Sequence, residues 1–505
     1  MRGHLLALAL AGCTRGPVTY DDHLLVRVPV HDPSAVRWIL DQPDLDLWTE
    51  HVVDHADVLV PADRLGDLPW PAEVLLSDVQ AQIDRTLPAA PAAAPFDDWP
   101  PLDVIDDTLQ QLADSRLYTE LLDVGTSLEG RPIRALAVRP RPVLDVLDGV
   151  AEPTDKLAIL VVGAQHAREW VAASSALWIA DHLVRGWQID PEVTALLDRY
   201  DVYVVPVANP DGYRFTWTTD RLWRKNRRDN GDGSVGVDLN RNWDAAFDAP
   251  GAVDVPSSDN WPGTAAFSEP ETAGLAAFLR AHPAIGLHVD LHCTGQVALH
   301  PWGSTAAPPP DADALDAATA DAAAAMAAVH GSPYRSGAFN TALYPAYGVA
   351  IDWSYASLGA TSALFELRDR GQYGFLLPRE QLVPTAEEAW AGLVALADRP
   401  ERPHLALAVR DPLVPGTHAR VRVDRVVAGA VVELYRSATG LGSTPLADGT
   451  TLALDGATFA ARAPAGPGGA VTFRLPVPAL APGDTVWFQA RSAAVTSAVA
   501  TAEVP

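Results

Sequence analysis

The period of the apolar positions divides the chain into three stretches of different character. Between Asp22 and about Thr86, His23–Val30 alternates as a half-buried strand does, and Asp32–Asp41 opens on a Pro-Ser turn and continues at helical spacing. Ala56–Val60 is a second short strand, followed by a helical turn at Ala62–Leu65 that Gly66 ends. Pro71–Leu76 and Ser77–Arg85 complete the order strand, helix, strand, helix, strand, which predicts a small α+β open sandwich. From Leu102 to about Arg399, apolar strands alternate with amphipathic helices over much longer distances. Helices are predicted at Leu109–Val124, Pro270–Ala281, Asp313–His330 and Thr385–Asp398. Strands are predicted at Arg131–Val138, Lys156–Val162, Val202–Val207, Gly286–His292 and Ser362–Leu367, the first two as neighbours; Asn209–Gly212 reads as a turn. This alternation predicts an α/β domain with a central mixed sheet flanked by helices. From His404 to Pro505 the helical period disappears. Short strands such as Ala419–Val423, Ala430–Leu434, Val471–Leu475 and Thr485–Ala490 recur between Gly/Pro turns, the pattern of a β-sandwich.

The boundaries are compositional. Residues 87–101, LPAAPAAAPFDDWPP, hold too many prolines for a helix or a sheet interior and read as a linker. The domains expected are therefore 18–86, 102–400 and 404–505. A length of 505 residues agrees with several domains rather than one core. With 64 acidic against 37 basic residues the net charge is −27, which argues against nucleic acid and anionic lipid surfaces as partners. Lys156 and Lys225 are the only lysines, a bias that fits a GC-rich genome and says little about function.

The two cysteines are Cys13 and Cys293. Residues 1–12 carry Arg2, a short apolar run and small residues before Cys13, and so resemble a bacterial lipoprotein signal with Leu10–Cys13 as its lipobox. The run is too short to span a bilayer. Lipidation at Cys13 or ordinary secretion is the expectation, which makes the protein a cell-envelope lipoprotein or a secreted protein of a bacterium. No disulfide is expected.

Chemistry concentrates at Ala158–Trp170, AILVVGAQHAREW, where a buried strand breaks at Gly163 and an apolar helix begins at Trp170. His166 and Glu169, three residues apart on that turn, can reach one ion if the turn folds them together. His292 ends the strand GLHVDLHC, and strand carboxyl ends are where ligand sites of open sheets collect. A close His/Glu pair joined by a distant His is the pattern of a catalytic zinc with an open water position. His288 and Asp290 are the other polar residues on that strand, with His288 on the same face as His292 but deeper.

With these residues in place the chain resembles the zinc metallocarboxypeptidases related to the pancreatic A and B enzymes. The resemblance is carried, in family order, by HAREW (166–170), NPDGY (209–213), RLWRKNR (221–227), GVDLNRNWD (236–244), LYPAYGVAIDWSY (343–355) and FELRDRGQYGFLLP (365–378). The first unit is similar, more weakly, to the family's activation segment, through DHLLVRVPV and SDVQAQID.

The resemblance implies one Zn2+ held by His166, Glu169 and His292, and Glu366 as the general base that takes a proton from water and hands it to the leaving amine. It implies that Arg224 polarises the scissile carbonyl; a fixed cation aimed at developing charge is worth about 3 to 4 kcal/mol. Asn240 and Arg241 match the pair that grips the substrate's terminal carboxylate, for which the planar fork of arginine is suited. Tyr344, rather than Tyr347, matches the tyrosine that closes over the terminus, and Arg168 and Arg221 match accessory cations along the groove. Ile351 matches the pocket floor where an acid would select basic substrates, and Leu299, Gly303 and Leu364 match other pocket positions. An isoleucine there leaves an incoming Lys or Arg unpaired, so aromatic or large aliphatic C-terminal residues are expected.

Cys293 and Thr294 depart from the family, which often has a small hydroxyl residue and an aromatic at these positions; the buried thiol is not assigned to the metal. The expected partners are peptide or protein C-termini and an activating protease, with membrane attachment only through Cys13. Two other readings are open at this point: a carboxypeptidase-like binding protein with weak catalysis, and a peptidase of cell-wall peptides. Glu366 with all three ligands argues against the first, and Ile351 against the second.

Overall fold

The computed structural model describes residues 17–140, 156–398 and most of 406–503, apart from short stretches at 31–32, 41, 43, 49–54, 88–95 and 283. The signal-like segment and Cys13 lie outside the described residues.

The first unit is built from β1 (His23–Pro29), α1 (Pro33–Leu40), β2 (Asp46–Leu47), β3 (His55–Pro61), β4 (Glu73–Leu76) and α2 (Val79–Thr86). The strands form an antiparallel sheet in the order β2-β3-β1-β4. Alternation in β1 decides its two faces: Val26 and Val28 join Val58, Val60 and Ile39 in the unit's own core. Leu25 and Leu59 point the other way, into the principal core of the large domain, together with Val79 and Ile83 of α2. The unit is thus packed onto the large domain through its second face.

The large domain runs α3 (Leu102–Ser115), β5 (Thr119–Thr126), β6 (Pro132–Val138), β7 (Leu157–Gly163), α4 (Trp170–Gly186), α5 (Pro191–Arg199), β8 (Tyr200–Val205), α6 (Pro210–Thr218) and α7 (Pro270–Ala281). It continues with β9 (Ile285–Cys293), β10 (Val297–His300), α8 (Ala312–His330), β11 (Arg335–Ala338), α9 (Phe339–Ala342), α10 (Ala350–Leu358), β12 (Thr361–Leu367) and α11 (Leu382–Ala397). Eight strands form one mixed sheet in the order β11-β10-β12-β9-β7-β8-β6-β5. The centre, β12-β9-β7-β8, is parallel, and β8-β6-β5 is antiparallel.

Helices cover both faces, which explains the unbroken apolar run of β7. Ile159 and Val161 face a core shared with α3, α4 and α11, while Ala158, Leu160 and Val162 face α7 and α10. The carboxyl ends of β7, β9 and β12 lie side by side, and the chemistry-bearing residues leave the sheet there.

Three expectations are corrected by this topology. The helix expected at Leu109–Val124 ends at Ser115, and Thr119–Thr126 is the edge strand β5, paired with β6. Arg131–Val138 and Lys156–Val162 are not neighbours, because β8 inserts between them and pairs with both. The NPDG stretch is not a free turn: Asn209 caps α6, its side chain accepting from Gly212 N, with Pro210 in the first turn. The linker also ends earlier than expected, since Trp99 is buried in the principal core and Pro100 O accepts from the Tyr213 hydroxyl at 2.7 Å.

The tail has its own core, formed by Val421, Val432, Leu434, Phe473 and Phe488 among others. It lies between a three-stranded and a five-stranded antiparallel sheet, as expected of a β-sandwich. Among the described residues no helix is long and apolar enough to cross a membrane.

Candidate active site

Gly163, at the end of β7, has no room for a side chain: a Cβ there would come within 2.8 Å of both Ala172 O and Pro206 O. This close approach lets the chain turn sharply into α4, and the turn carries His166 and Glu169 side by side. His166 Nδ1 is 2.8 Å from Glu169 Oε1, and His292 Nδ1, at the end of β9, is 3.1 Å from Glu169 Oε2. The two Nδ1 atoms face each other at 3.1 Å, and all three side chains are fully buried.

The outer nitrogens explain this arrangement. His166 Nε2 is 3.0 Å from Asp238 Oδ1 and His292 Nε2 is 3.0 Å from Asp290 Oδ2. Carboxylates at Nε2 hold the proton on that side of each ring and leave the Nδ1 lone pairs converging with the Glu169 oxygens. Converging lone pairs and a buried carboxylate call for a cation, and two His with one Glu is the ligand set of a catalytic zinc. His288, the deeper residue, is instead 2.9 Å from the Ser354 hydroxyl.

Asp238 is the residue that the sequence reading missed. It orients His166 and also accepts from Arg224, whose Nε and Nη2 lie 3.2 and 3.0 Å from Oδ2. Burial alone would raise its carboxyl, but Arg224 and His166 hold it well below the usual range. Its position inside GVDLNRNWD, two residues before Asn240, was the available signal. Arg224 in turn lines the groove with its guanidinium 3.9 Å from Glu169 Oε1.

Asn240 and Arg241 lie on the short turn Leu239–Arg241 that Asp238 caps. Asn240 Oδ1 accepts from Ala350 N at 2.9 Å, which ties the start of α10 to the metal side of the site. Arg241 Nη2 donates to the Tyr344 hydroxyl at 2.9 Å, so the two residues expected to meet a terminal carboxylate already meet each other. Beside them is an apolar cluster of Val297, Leu299, Phe339, Leu343, Ile351 and Leu364, with Tyr344 at its edge. Gly303 N closes one wall by donating to Asp352 at 2.8 Å. Burial pushes the Asp352 carboxyl up to about 6 against the hydrogen bonds from Gly303 and Ser304.

Glu366 is fully buried on β12, in register with His292 of β9 on one side and Val297 of β10 on the other. The neighbouring cation Arg368 turns to Glu388, donating from Nε at 2.8 Å.

The first unit occupies the outer part of the groove. Arg168, two residues past His166, donates to Asp46 from Nη1 at 2.5 Å and from Nη2 at 3.0 Å, with its guanidinium 4.2 Å from the Phe375 ring centroid. Trp48 packs edge-on with the same ring, centroids 5.2 Å apart, and Tyr20 donates to Asp220 at 2.7 Å. Gly374 is shaped by this contact, since a Cβ there would sit 2.4 Å from the Trp48 ring. Arg168, Arg224, Tyr344, Asp46 and Asp44 all line one cleft of about 410 Å³ between the two units.

Arg221 is placed differently from its expected groove position. It is buried, its Nη1 and Nη2 donating to Arg168 O and Phe375 O at 2.9 and 2.8 Å, and it stacks 3.7 Å from the Trp170 ring centroid. Burial pushes its guanidinium down to about 9. It braces the turn that carries Arg168 against the Phe375 loop. Cys293, next to His292, is buried, and its backbone N donates to Glu169 Oε2 at 3.4 Å.

A mixed sheet with a His-Glu-His cradle at its carboxyl edge, and the buried carboxylate of Glu366 on the adjoining strand, fits a zinc-dependent hydrolase. Residues 105–392 match the zinc carboxypeptidase family. Carboxypeptidase A2 of Rattus norvegicus is 34% identical over 386 residues, covering 76% of this chain and 86% of the rat protein. Carboxypeptidase A1 of Homo sapiens is 32% identical, covering 79% of this chain and 98% of its own length. The crystal structure of the carboxypeptidase A from Helicoverpa armigera superposes with a TM-score of 0.66 at 27% identity, covering 76% of this chain and 99% of the insect chain. The chain belongs to the zinc carboxypeptidase family, and one Zn2+ is its cofactor.

Proposed function

We propose that this metallocarboxypeptidase removes single C-terminal residues with aromatic or large aliphatic side chains and is made as a latent precursor. The observation that carries the specificity is Ile351 at 0% exposure in a wholly apolar cluster beside the Arg241–Tyr344 pair. A Lys or Arg side chain entering that cluster would be desolvated without a partner, at a cost of several kcal/mol.

Each side chain has a task that its surroundings suit. The metal, held by His166, Glu169 and His292, supplies Lewis acidity and water with a pKa near 7. Glu366, buried next to His292, holds the proton at its carboxylate and returns it to the leaving nitrogen. Arg224, fixed by Asp238, faces the groove where the tetrahedral oxyanion develops. Arg241 and Asn240 grip the terminal carboxylate, and Tyr344 closes over it.

The Asp46–Arg168 pair and the Trp48–Phe375 contact support latency, because they fill the groove that upstream substrate residues need. Cleavage between Leu87 and Trp99, by an activating protease, would free the first unit. The Leu10–Cys13 sequence supports export with lipidation at Cys13.

The test is release of the last residue from paired peptides ending in Phe and in Arg, before and after limited proteolysis. Phe should be released at least tenfold faster than Arg, and the rate should rise on cleavage. Faster release of Arg would overturn the specificity, and full activity of the uncleaved protein would overturn latency. Ile351→Asp should shift the preference toward Lys and Arg by about a hundredfold, the size expected when one buried charge gains a partner worth about 3 kcal/mol. A ratio unchanged in that variant would remove Ile351 from the pocket floor.

A further inference from the structure

Three successive anchors follow Glu366 where β12 leaves the sheet. Leu367 O accepts from Gly295 N and Gln296 N, both at 3.2 Å. Arg368 donates to Glu388 of α11 from Nε at 2.8 Å and from Nη2, and to Gln381 from Nη1. The Asp369 carboxylate then accepts from Gly371, Tyr373 and Gly374 N at 2.9, 2.7 and 3.1 Å, shaping the loop that ends in Phe375. Only the middle anchor reaches outside this corner of the sheet, to a helix on its flank.

Glu388 is fully buried, and Tyr334 donates to its Oε2 at 2.9 Å, so both carboxylate oxygens are engaged. A buried ion pair is a poor choice for stability alone, since well-packed apolar residues of similar volume are often neutral or stabilising in its place. What it supplies is geometry: a bidentate fork admits one orientation, whereas packed aliphatic groups tolerate small slips. The slip that matters here is of β12 along β9, because Glu366 stands in register with the ligand His292.

We propose that Glu388 is a positioning residue that acts through Arg368 to hold the exit of β12, and with it the aim of the Glu366 carboxylate at the metal site. The inference rests on Glu366 being the base. The same clamp fixes the start of the Asp369–Phe375 loop, but that loop lies on the outer groove, so its disturbance shows in KM and in binding of the first unit. Loss of aim at Glu366 shows in kcat, where a displacement on the order of 1 Å costs about a hundredfold.

The test uses the full-length protein after processing of its first unit. In a triple variant, Tyr334→Phe, Arg368→Met and Glu388→Leu, the buried triad is replaced as a whole, and Gln381, which also accepts from Arg368, is only half-buried and can turn its amide to water. The expected result is an unchanged or higher Tm and unchanged zinc content, with kcat for a Phe-ending peptide reduced about 10- to 100-fold and KM within about threefold. A folded, zinc-loaded triple variant with the kcat of the parent overturns the proposal, as does a kcat that falls only in proportion to the folded fraction. Should the triple variant not fold, Glu388→Asp decides: it keeps the charge but shortens the reach by one methylene. It should lose about tenfold in kcat beyond any loss of folded fraction, whatever the fall in Tm, and an unaltered kcat per folded molecule overturns the proposal. Failure of Glu366 as base is a separate result, since Glu366→Gln would then remain active while the Glu388 variants are read against the same parent.

Discussion

Glu366→Gln lowers kcat about a thousandfold while leaving KM and zinc content unchanged. Glutamine keeps the volume and one oxygen at a fully buried position between β9 and β10, so the fold has no reason to change. It cannot take a proton, and positioned acid–base groups contribute about 10² to 10⁴ in rate. Under the proposed function substrate is held elsewhere, by Arg241, Tyr344 and the apolar cluster, so the loss should fall on kcat alone. The check is steady-state kinetics beside metal analysis. A variant that keeps the parent rate with one zinc bound would remove Glu366 from the reaction, and one that loses zinc would show it to be part of the metal cradle instead.

Arg241→Ala is the second large effect, and it falls on a different parameter. The guanidinium is nearly buried, is placed by its own Nη1 bond to Asn240 O at 2.8 Å, and points Nη2 at Tyr344. Removing one partner of a buried charged pair costs about 2 to 5 kcal/mol, so kcat/KM should drop between about 30- and 5,000-fold. The informative comparison is a peptide with a free terminus against its C-terminal amide. In the parent, amidation should cost about as much as the mutation does. In Arg241→Ala, amidation should cost almost nothing further, the signature of two groups that interact directly. Independent, multiplying losses would place the carboxylate elsewhere and remove the reason for trimming one residue at a time.

How far these residues could be read from the chain depended on how local their causes are. The run Ala158–Val162 is apolar throughout because β7 is covered on both faces, and that is visible without a partner. His166 and Glu169 were legible because a three-residue spacing on one turn already brings their side chains together. His292 was legible as a strand-end histidine, and the family resemblance joined it to them.

Residues whose roles are set by distant chain segments stayed hidden. His166 and Arg224 reach Asp238 from two other loops, and Arg368 reaches Glu388 from the end of β12. Arg221 looked like a groove cation by position, yet Trp170 and two backbone carbonyls draw it inward. Leu121, Leu122 and Val124 fit a helical period as well as a strand, and pairing with β6 decides for the strand. The place of β8 between β6 and β7 is a property of the sheet alone, since chain order does not fix spatial order.

The first unit shows the same division. Its strands and helices could be read from alternation, but its seat on the groove appears only where Asp46 and Trp48 meet Arg168 and Phe375. Asp46 begins, and Trp48 follows, a strand of two residues, too short to draw notice in the sequence.

The central claim is that the His166–Glu169–His292 cradle with Glu366 and Arg241 makes the chain a zinc carboxypeptidase acting on apolar C-termini. The most direct measurement is release of free Phe from a C-terminal Phe peptide by the proteolytically processed protein, with zinc, with a chelator, and after zinc is restored. The account predicts steady release with zinc, none with the chelator, and recovery on restoring the metal. No free Phe from the processed, zinc-loaded protein, or release that the chelator leaves untouched, would contradict it.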